Sequence, residues 1–282
     1  MHLPKIRSLE LQAVEIRRSI INMGHSGKKI HFGGSLSVVD ILTVLYFDVL
    51  RHDPRNPSWP NRDRFIFSKG HASSALYAVL AHAGYFPLDV LQRFLEDDSP
   101  LQGHPSSVYT PGVETSSGSL GLGLSVAVGE ALAAKLDGLS HKVYCLIGDG
   151  ELNEGQVWEA AMSAGHFKLD NLVCIVDRNA LQYSGATSEI MDTEPLLEKW
   201  AAFRWHVQEV DGHSVPQLLD AFAQAAETTS SPSVVIAHTV KGKGISFMEN
   251  QAKWHSGALS LDEMAQAFME LDAAAEVVKA SD

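Results

Sequence analysis

The sequence predicts an α/β protein with a mainly parallel β-sheet and helices on both faces. Three observations carry this reading. Short β-branched or aromatic runs alternate with longer helical stretches along most of the chain. The runs at 142–147 and 171–176 show no polar–apolar alternation, as expected of strands covered on both sides. Their strand–helix–strand order supplies the crossovers that parallel pairing needs.

The elements follow in order. Leu9, Val14, Ile16, Ile20 and Ile21 fall at helical spacing within 8–22. Residues 37–50 are apolar nearly all round, which predicts a deeply buried helix. A Pro- and Asn-rich loop occupies 53–63. Strands are expected at 64–67, 142–147, 171–176, 206–210 and 233–239. Helices are expected at 72–83, 121–136, 156–167, 194–203 and 215–227. A last helix covers 261–278, so 259–282 reads as a C-terminal helical tail on a single domain spanning 1–282. No internal repeat or low-complexity block interrupts this order.

Bulk properties narrow the function. With 45% hydrophobic and 20% charged residues the chain reads as an ordinary globular protein. A net charge of −12 argues against an electrostatic grip on nucleic acid or anionic membrane. Any local positive site is expected to come from backbone amides, histidines or a metal. Cys145 and Cys174 sit in apolar runs and read as buried thiols, not as a disulfide or metal knuckle. No signal peptide is evident, and no run approaches the ~18–20 apolar residues of a membrane span. A cytoplasmic setting is the expectation.

In open parallel sheets ligands bind beyond the carboxyl ends of the strands, so the loops after the strands matter most. The strand at 142–147 ends in Gly148-Asp149-Gly150 and leads into a helix. Glycines allow a tight turn and close approach to a ligand. The carboxylate between them can hold a hard cation, and the helix start offers free N–H groups to an anion. The next strand ends in Asp177-Arg178-Asn179. Adjacent parallel strands would bring Asp149 and Asn179 side by side, and oxygen-only ligation suits Mg²⁺.

Gly148-Asp149-Gly150 followed at this distance by Asn179 resembles the thiamine diphosphate motif. The wider text resembles the transketolase family: HFGGSLS (31–37), SKGHAS (68–73), QGHPS (102–106), GVETSSGSLGLG (112–123), GDGELNEG (148–155), RWHVQEVDGHS (204–214) and KGKGISFMEN (241–250). The resemblance implies the diphosphate-binding domain of a thiamine diphosphate enzyme that moves two-carbon ketol units between sugars or sugar phosphates. It implies Mg²⁺ on Asp149, Asn179 and the Leu181 carbonyl, with Gly148 and Gly150 at the diphosphate. It places His71 and His255 at the diphosphate or the reacting centre. His31 and His104 would receive substrate hydroxyls, and Gly118 and Leu120 would hold the bent cofactor. Glu154 would lie by the dimer interface, linked to the partner's carboxylates.

Histidine also suits the chemistry directly, because ketol transfer needs proton shuttling near neutral pH. The other nine of the 13 histidines are given no role. For 118–123, close helix–sheet packing competes with cofactor binding as the explanation. Trp158, Trp200 and Trp205 read as core, and Lys28-Lys29 as a solvated turn.

The family's pyrimidine-binding domain, which supplies the glutamate that activates the cofactor, has no counterpart here. The polar ending of the chain favours a natural terminus. The expectation is therefore a split enzyme: a separately encoded pyrimidine-binding subunit, in an α2β2 assembly, with small sugar substrates. Many relatives read SGHPGG where this chain has Phe32 after His31, and Phe32 is expected beside the substrate channel. Two alternatives stay open: a subunit of another thiamine diphosphate enzyme (2-oxo acid dehydrogenase-like or deoxyxylulose phosphate synthase-like), or a non-catalytic regulatory subunit that keeps the fold.

Overall fold

In a computed structural model, described for residues 3–280, five parallel strands form one sheet in the order β1-β2-β3-β5-β4. Helices α1 (Leu3–Met23), α2 (Phe32–Leu36) and α3 (Val39–Val44) come first. Strand β1 (Arg64–Phe67), α4 (Ser73–His82), α5 (Leu122–Leu136), β2 (Val143–Gly148), α6 (Gly155–His166) and β3 (Leu172–Arg178) follow. The chain then runs through α7 (Thr187–Ile190), α8 (Leu196–Ala202), β4 (His206–Asp211), α9 (Val215–Glu227), β5 (Ser233–His238) and α10 (Leu261–Ala280).

The two-residue period of a strand sends alternate side chains to opposite faces, and here both faces are cores. Phe65, Phe67, Tyr144, Leu146, Val173 and Ile175 join one cluster with residues of α1, α3, α4, α9 and α10. Ile66, Cys145, Ile147, Cys174 and Val176 join the other with residues of α5, α6 and α8. This is why no alternation is visible in the central strands. Cys145 and Cys174 are register partners, buried and free. Trp200 and Trp205 are buried in the second cluster and Trp158 packs against it.

Three expectations are refined. The helix expected at 37–50 begins at Val39, and its last turn, Leu45–Val49, widens to π geometry. The C-terminal tail is docked: Ala267, Leu271 and Ala275 of α10 are buried, and Arg18 of α1 pairs with Asp272 at 2.7 Å. Its last two residues, 281–282, lie outside the described residues, as does His2. Strand β4 is only partly covered, as its edge position dictates. Among the described residues no helix is long and apolar enough to cross a membrane.

Candidate active site

A cavity of about 360 Å³ opens beyond the carboxyl ends of β1, β2, β3 and β5. Gly148, Asp149 and Gly150 line it after β2, and Asn179 and Leu181 after β3. His71, His104, Gly118, Leu120 and His255 complete the part expected from the sequence. His31 and Glu154 are not among the lining residues.

The floor is set by register. Gly148 pairs with Asp177, so Asp149 lies beside the end of β3. Its carboxylate accepts from the Gly150 amide at 2.8 Å and the Ala180 amide at 2.6 Å. Asp149 is 4% exposed, and burial, aided by nearby Asp177, raises its pKa to about 6. Lys69 offsets this only in part, and a buried carboxylate held by main-chain amides at the edge of a cavity fits a cation site.

Asp177 organises the floor from beneath. It is fully buried and accepts from Ser37 Oγ at 2.8 Å, Asn179 Nδ2 at 3.0 Å, Lys69 Nζ and Thr239 Oγ1. Burial opposes its ionisation, but Lys69 and these hydrogen bonds hold its pKa below the ordinary carboxylate value. Because Asn179 donates its amide NH₂ to Asp177, Oδ1 turns the other way, where it accepts from the Leu181 amide at 3.2 Å. The Asp149 carboxylate, Asn179 Oδ1 and the Leu181 carbonyl, which also accepts from Lys241, belong to residues that line one cavity and together offer an all-oxygen set. Among the described residues no three His, Cys, Asp or Glu side chains gather at a metal-like site, so any cation here must use amide and main-chain oxygen.

The histidine wall is built differently. His31 and His71 have ring centroids 5.3 Å apart, His31 and His255 5.4 Å, and His71 stacks on His255 at 5.1 Å. Burial first, then the charges of Lys69 and Lys241, depress the pKa of His71 far below 6.5 and that of His255 to about 3. Burial and neighbouring cationic groups also lower His31. These rings are therefore neutral at physiological pH. Of the two forms in which histidine was expected to serve here, neutral or protonated, burial favours the neutral one. His104 is an exposed lining residue close enough to His31 to influence its charge.

The positive charge comes from two lysines to which the sequence assigned no role. Lys69, after β1, is 2% exposed and tied to Asp177. Lys241, after β5, is equally buried; its Nζ donates to the Leu181 carbonyl at 2.9 Å and contacts His255 Nδ1 at 3.2 Å. Burial, with Lys69 nearby, lowers its pKa to about 8. Both sit inside the motifs SKGHAS and KGKGISFMEN, and the available signal was a lysine in a glycine loop directly after a buried strand. Glu151 was missed as well: it accepts from the Gly121 amide at 2.8 Å, the Gly148 amide at 3.0 Å and Ser68 Oγ, clamping the glycine turns together.

The glycine-rich stretch divides between the two explanations. A Cβ on Gly121 would meet Glu154 Cβ at 2.7 Å, and one on Gly123 would meet Ser68 Oγ at 2.3 Å, so these serve packing. A Cβ on Gly118 would meet nothing within 4 Å, and Gly118 faces the cavity. Glu154 is exposed at the start of α6. Phe32 is not beside the channel: it is fully buried, edge-on to Trp254 at 5.9 Å, and fills the space over Gly24. It backs the turn that carries His255.

A parallel sheet with an all-oxygen set, buried lysines and neutral histidines at its strand ends defines a binding domain for a diphosphate cofactor. The family model described as transketolase, thiamine diphosphate binding domain, matches residues 5–276, and the chain belongs to that family. It is 47% identical to an apulose-4-phosphate transketolase subunit of Actinobacillus succinogenes, over 93% of this chain and 95% of that protein. It is 46% identical to the 6-deoxy-6-sulfo-D-fructose transketolase subunit SqwG of Clostridium sp., over 86% of this chain and 88% of that one. The transketolase structure from Campylobacter jejuni superposes with a TM-score of 0.89 at 34% identity, covering 99% of this chain and 46% of that chain. The chain is thus a transketolase-family thiamine diphosphate-binding domain whose length matches that of separately named subunits.

Proposed function

We propose that this chain is the diphosphate-binding subunit of a split transketolase that transfers a two-carbon ketol unit between sugars. The observation that carries the reading is the Asp149–Asn179–Leu181 oxygen set beside Lys241, at the end of four parallel strands. Asp149, Asn179 Oδ1 and the Leu181 carbonyl would hold Mg²⁺, with Lys241 and the Gly150 amide turned to the diphosphate. The cofactor supplies an electron sink for breaking a carbon–carbon bond. The chain's own residues bind, orient and relay protons. Gly118 and Leu120 wall the cofactor space. The neutral imidazoles of His31, His71 and His255 can each donate one hydrogen bond and accept another at a substrate hydroxyl or carbonyl. His104, exposed at the cavity, would join them in receiving substrate hydroxyls. Buried Asp177 and Lys69 keep the floor rigid.

The chain forms one domain, 1–282, and works with a separately encoded pyrimidine-binding subunit in an α2β2 assembly. Relatives named as transketolase subunits, matched over nearly their whole length, support this. Glu154, exposed beside Gly121, would meet that partner. Names that point to phosphorylated and sulfonated sugars favour an anionic sugar donor. Two buried free thiols suit the cytoplasm.

The test is co-expression with the partner subunit, followed by assays with ketose phosphates and with pyruvate. Ketol transfer from a sugar donor, dependent on both chains and on Mg²⁺, is expected. Turnover of pyruvate alone would move the assignment to another thiamine diphosphate enzyme, and absence of cofactor binding to a regulatory subunit.

A further inference from the structure

Arg17, Asp40 and His213, none of which lines the cavity, form a buried ionic network. Arg17 of α1 grips Asp40 of α3 in a fork, Nη1 donating to Oδ1 at 3.0 Å and Nη2 to Oδ2 at 2.6 Å. Both residues are 7% exposed. His213, in the turn after β4, donates through Nδ1 to Asp40 Oδ2 at 2.6 Å. Its tautomer follows from its other side: the Val240 amide donates to Nε2 at 2.8 Å, so that nitrogen carries no proton. Against burial, the Arg17 charge and the His213 hydrogen bond hold the Asp40 carboxyl well below the usual range.

The network ends on one short segment. His213 holds the Val240 amide, and Arg17 Nε donates to the Lys243 carbonyl at 3.2 Å. Between these two grips lies Lys241, whose ammonium reaches the Leu181 carbonyl and His255. The fit is close on both sides. A Cβ on Gly212 would meet Thr239 Cγ2 at 2.5 Å, and one on Gly244 would lie 3.2 Å from Arg17 Cδ. Gly242 has φ +80°, a backbone state that the turn itself requires.

We propose that Arg17, Asp40 and His213 are positioning residues that set the main chain of 240–243 and so aim Lys241 at the bound diphosphate. Asp40 orients two groups at once, and each of those groups fixes one end of the segment. A buried carboxylate with a forked arginine partner is a stiff anchor. A lysine side chain alone has about 2 kcal/mol of rotamer freedom, so its aim depends on its backbone. This proposal rests on the reading that the cavity takes a diphosphate.

The test reads thiamine diphosphate affinity at saturating Mg²⁺ in the complex with the partner subunit. His213→Ala should weaken the cofactor about ten-fold, with kcat at saturating cofactor changed less than about two-fold. His213→Gln keeps a donor and an acceptor and should recover most of the affinity. In a Lys241→Met background, His213→Ala should add less than about two-fold, because its effect passes through Lys241. Should His213→Ala fail to fold, Arg17→Lys gives the same readings, since it keeps a charge on Asp40 but drops the Lys243 grip. An equal loss with and without Lys241, or a folded His213→Ala with unchanged affinity, overturns the proposal. A wild-type complex that binds no thiamine diphosphate overturns the cofactor reading along with it.

Discussion

On the floor of the cavity, Asp149, Asp177 and Asn179 come from the ends of two adjacent strands, and their neighbours are given by sheet register. On the histidine wall, His31, His71 and His255 come from three loops far apart in the chain, brought together ring against ring. The floor is held by charge: a buried lysine–carboxylate pair and a ring of donors around Asp177. The wall is held by burial that keeps its rings uncharged. One site thus uses the same low-dielectric setting in two ways. Charged groups are admitted where a partner is built in, and titratable groups are kept neutral where none is.

The sharpest way to break the floor is Asp177→Asn. It leaves Lys69 buried without its carboxylate, and loss of one member of such a pair costs about 3–5 kcal/mol. Urea unfolding of the variant should show this, and a loss below about 1 kcal/mol would mean the floor is not held by that pair. Next comes Asp149→Ala, which removes the one carboxylate of the proposed Asp149–Asn179–Leu181 cation set. Mg²⁺-dependent thiamine diphosphate binding should weaken by roughly 100-fold or more, measured by calorimetry. Unchanged affinity would contradict the metal assignment.

The wall makes a different prediction. The folded pKa values of His71 and His255 are depressed below 6.5, so the unfolded chain takes up protons first as pH falls. Their contribution to stability is present above about 6.5 and is lost as pH falls from there toward the folded values. Asp149, with its pKa raised to about 6, acts in the opposite sense over this range, so the reading is the difference from wild type: between pH 7 and 5 His255→Asn should lose less stability in urea unfolding than wild type. A steeper slope in the variant would reverse the sign. The smallest effect is expected at Gly118→Ala, where open space receives the methyl: stability should move by no more than about 0.5 kcal/mol. Any effect there should appear in cofactor affinity.

The floor was the more legible of the two regions. Glycine–acid–glycine after a buried strand, then Asn after the next, predicts a convergence that sheet register enforces. The wall could be read only through family resemblance, because nothing local in the chain says that residues 31, 71 and 255 meet. Lys69 and Lys241 were not legible because a net charge of −12 says nothing about where single lysines lie. Burial in the context of a fold, not composition, decides where a cation matters. His213 was hidden because its two partners, Asp40 and Val240, are distant in sequence. Phe32 was misplaced because adjacency to His31 in the chain does not carry over to the direction of its side chain. The five strands and the helices that connect them were, by contrast, readable to within a residue or two, whereas the first helix begins five residues earlier than expected, at Leu3, and the short helices Phe32–Leu36 and Thr187–Ile190 gave no periodic signal.

The strand order has a consequence for the growing polypeptide. Strands β1, β2 and β3 lie side by side in the order of synthesis, so the sheet can extend one strand at a time as the chain leaves the ribosome. The fourth breaks that sequence. β4 pairs only with β5, which is made later and slides between β3 and β4. Until residues 233–238 emerge, β4 has no hydrogen-bonded neighbour and β3 keeps an open edge. A nascent chain halted before that point leaves β4 unpaired on both sides and β3 open on the side that β5 later fills, the state in which partly made sheets are most prone to aggregate.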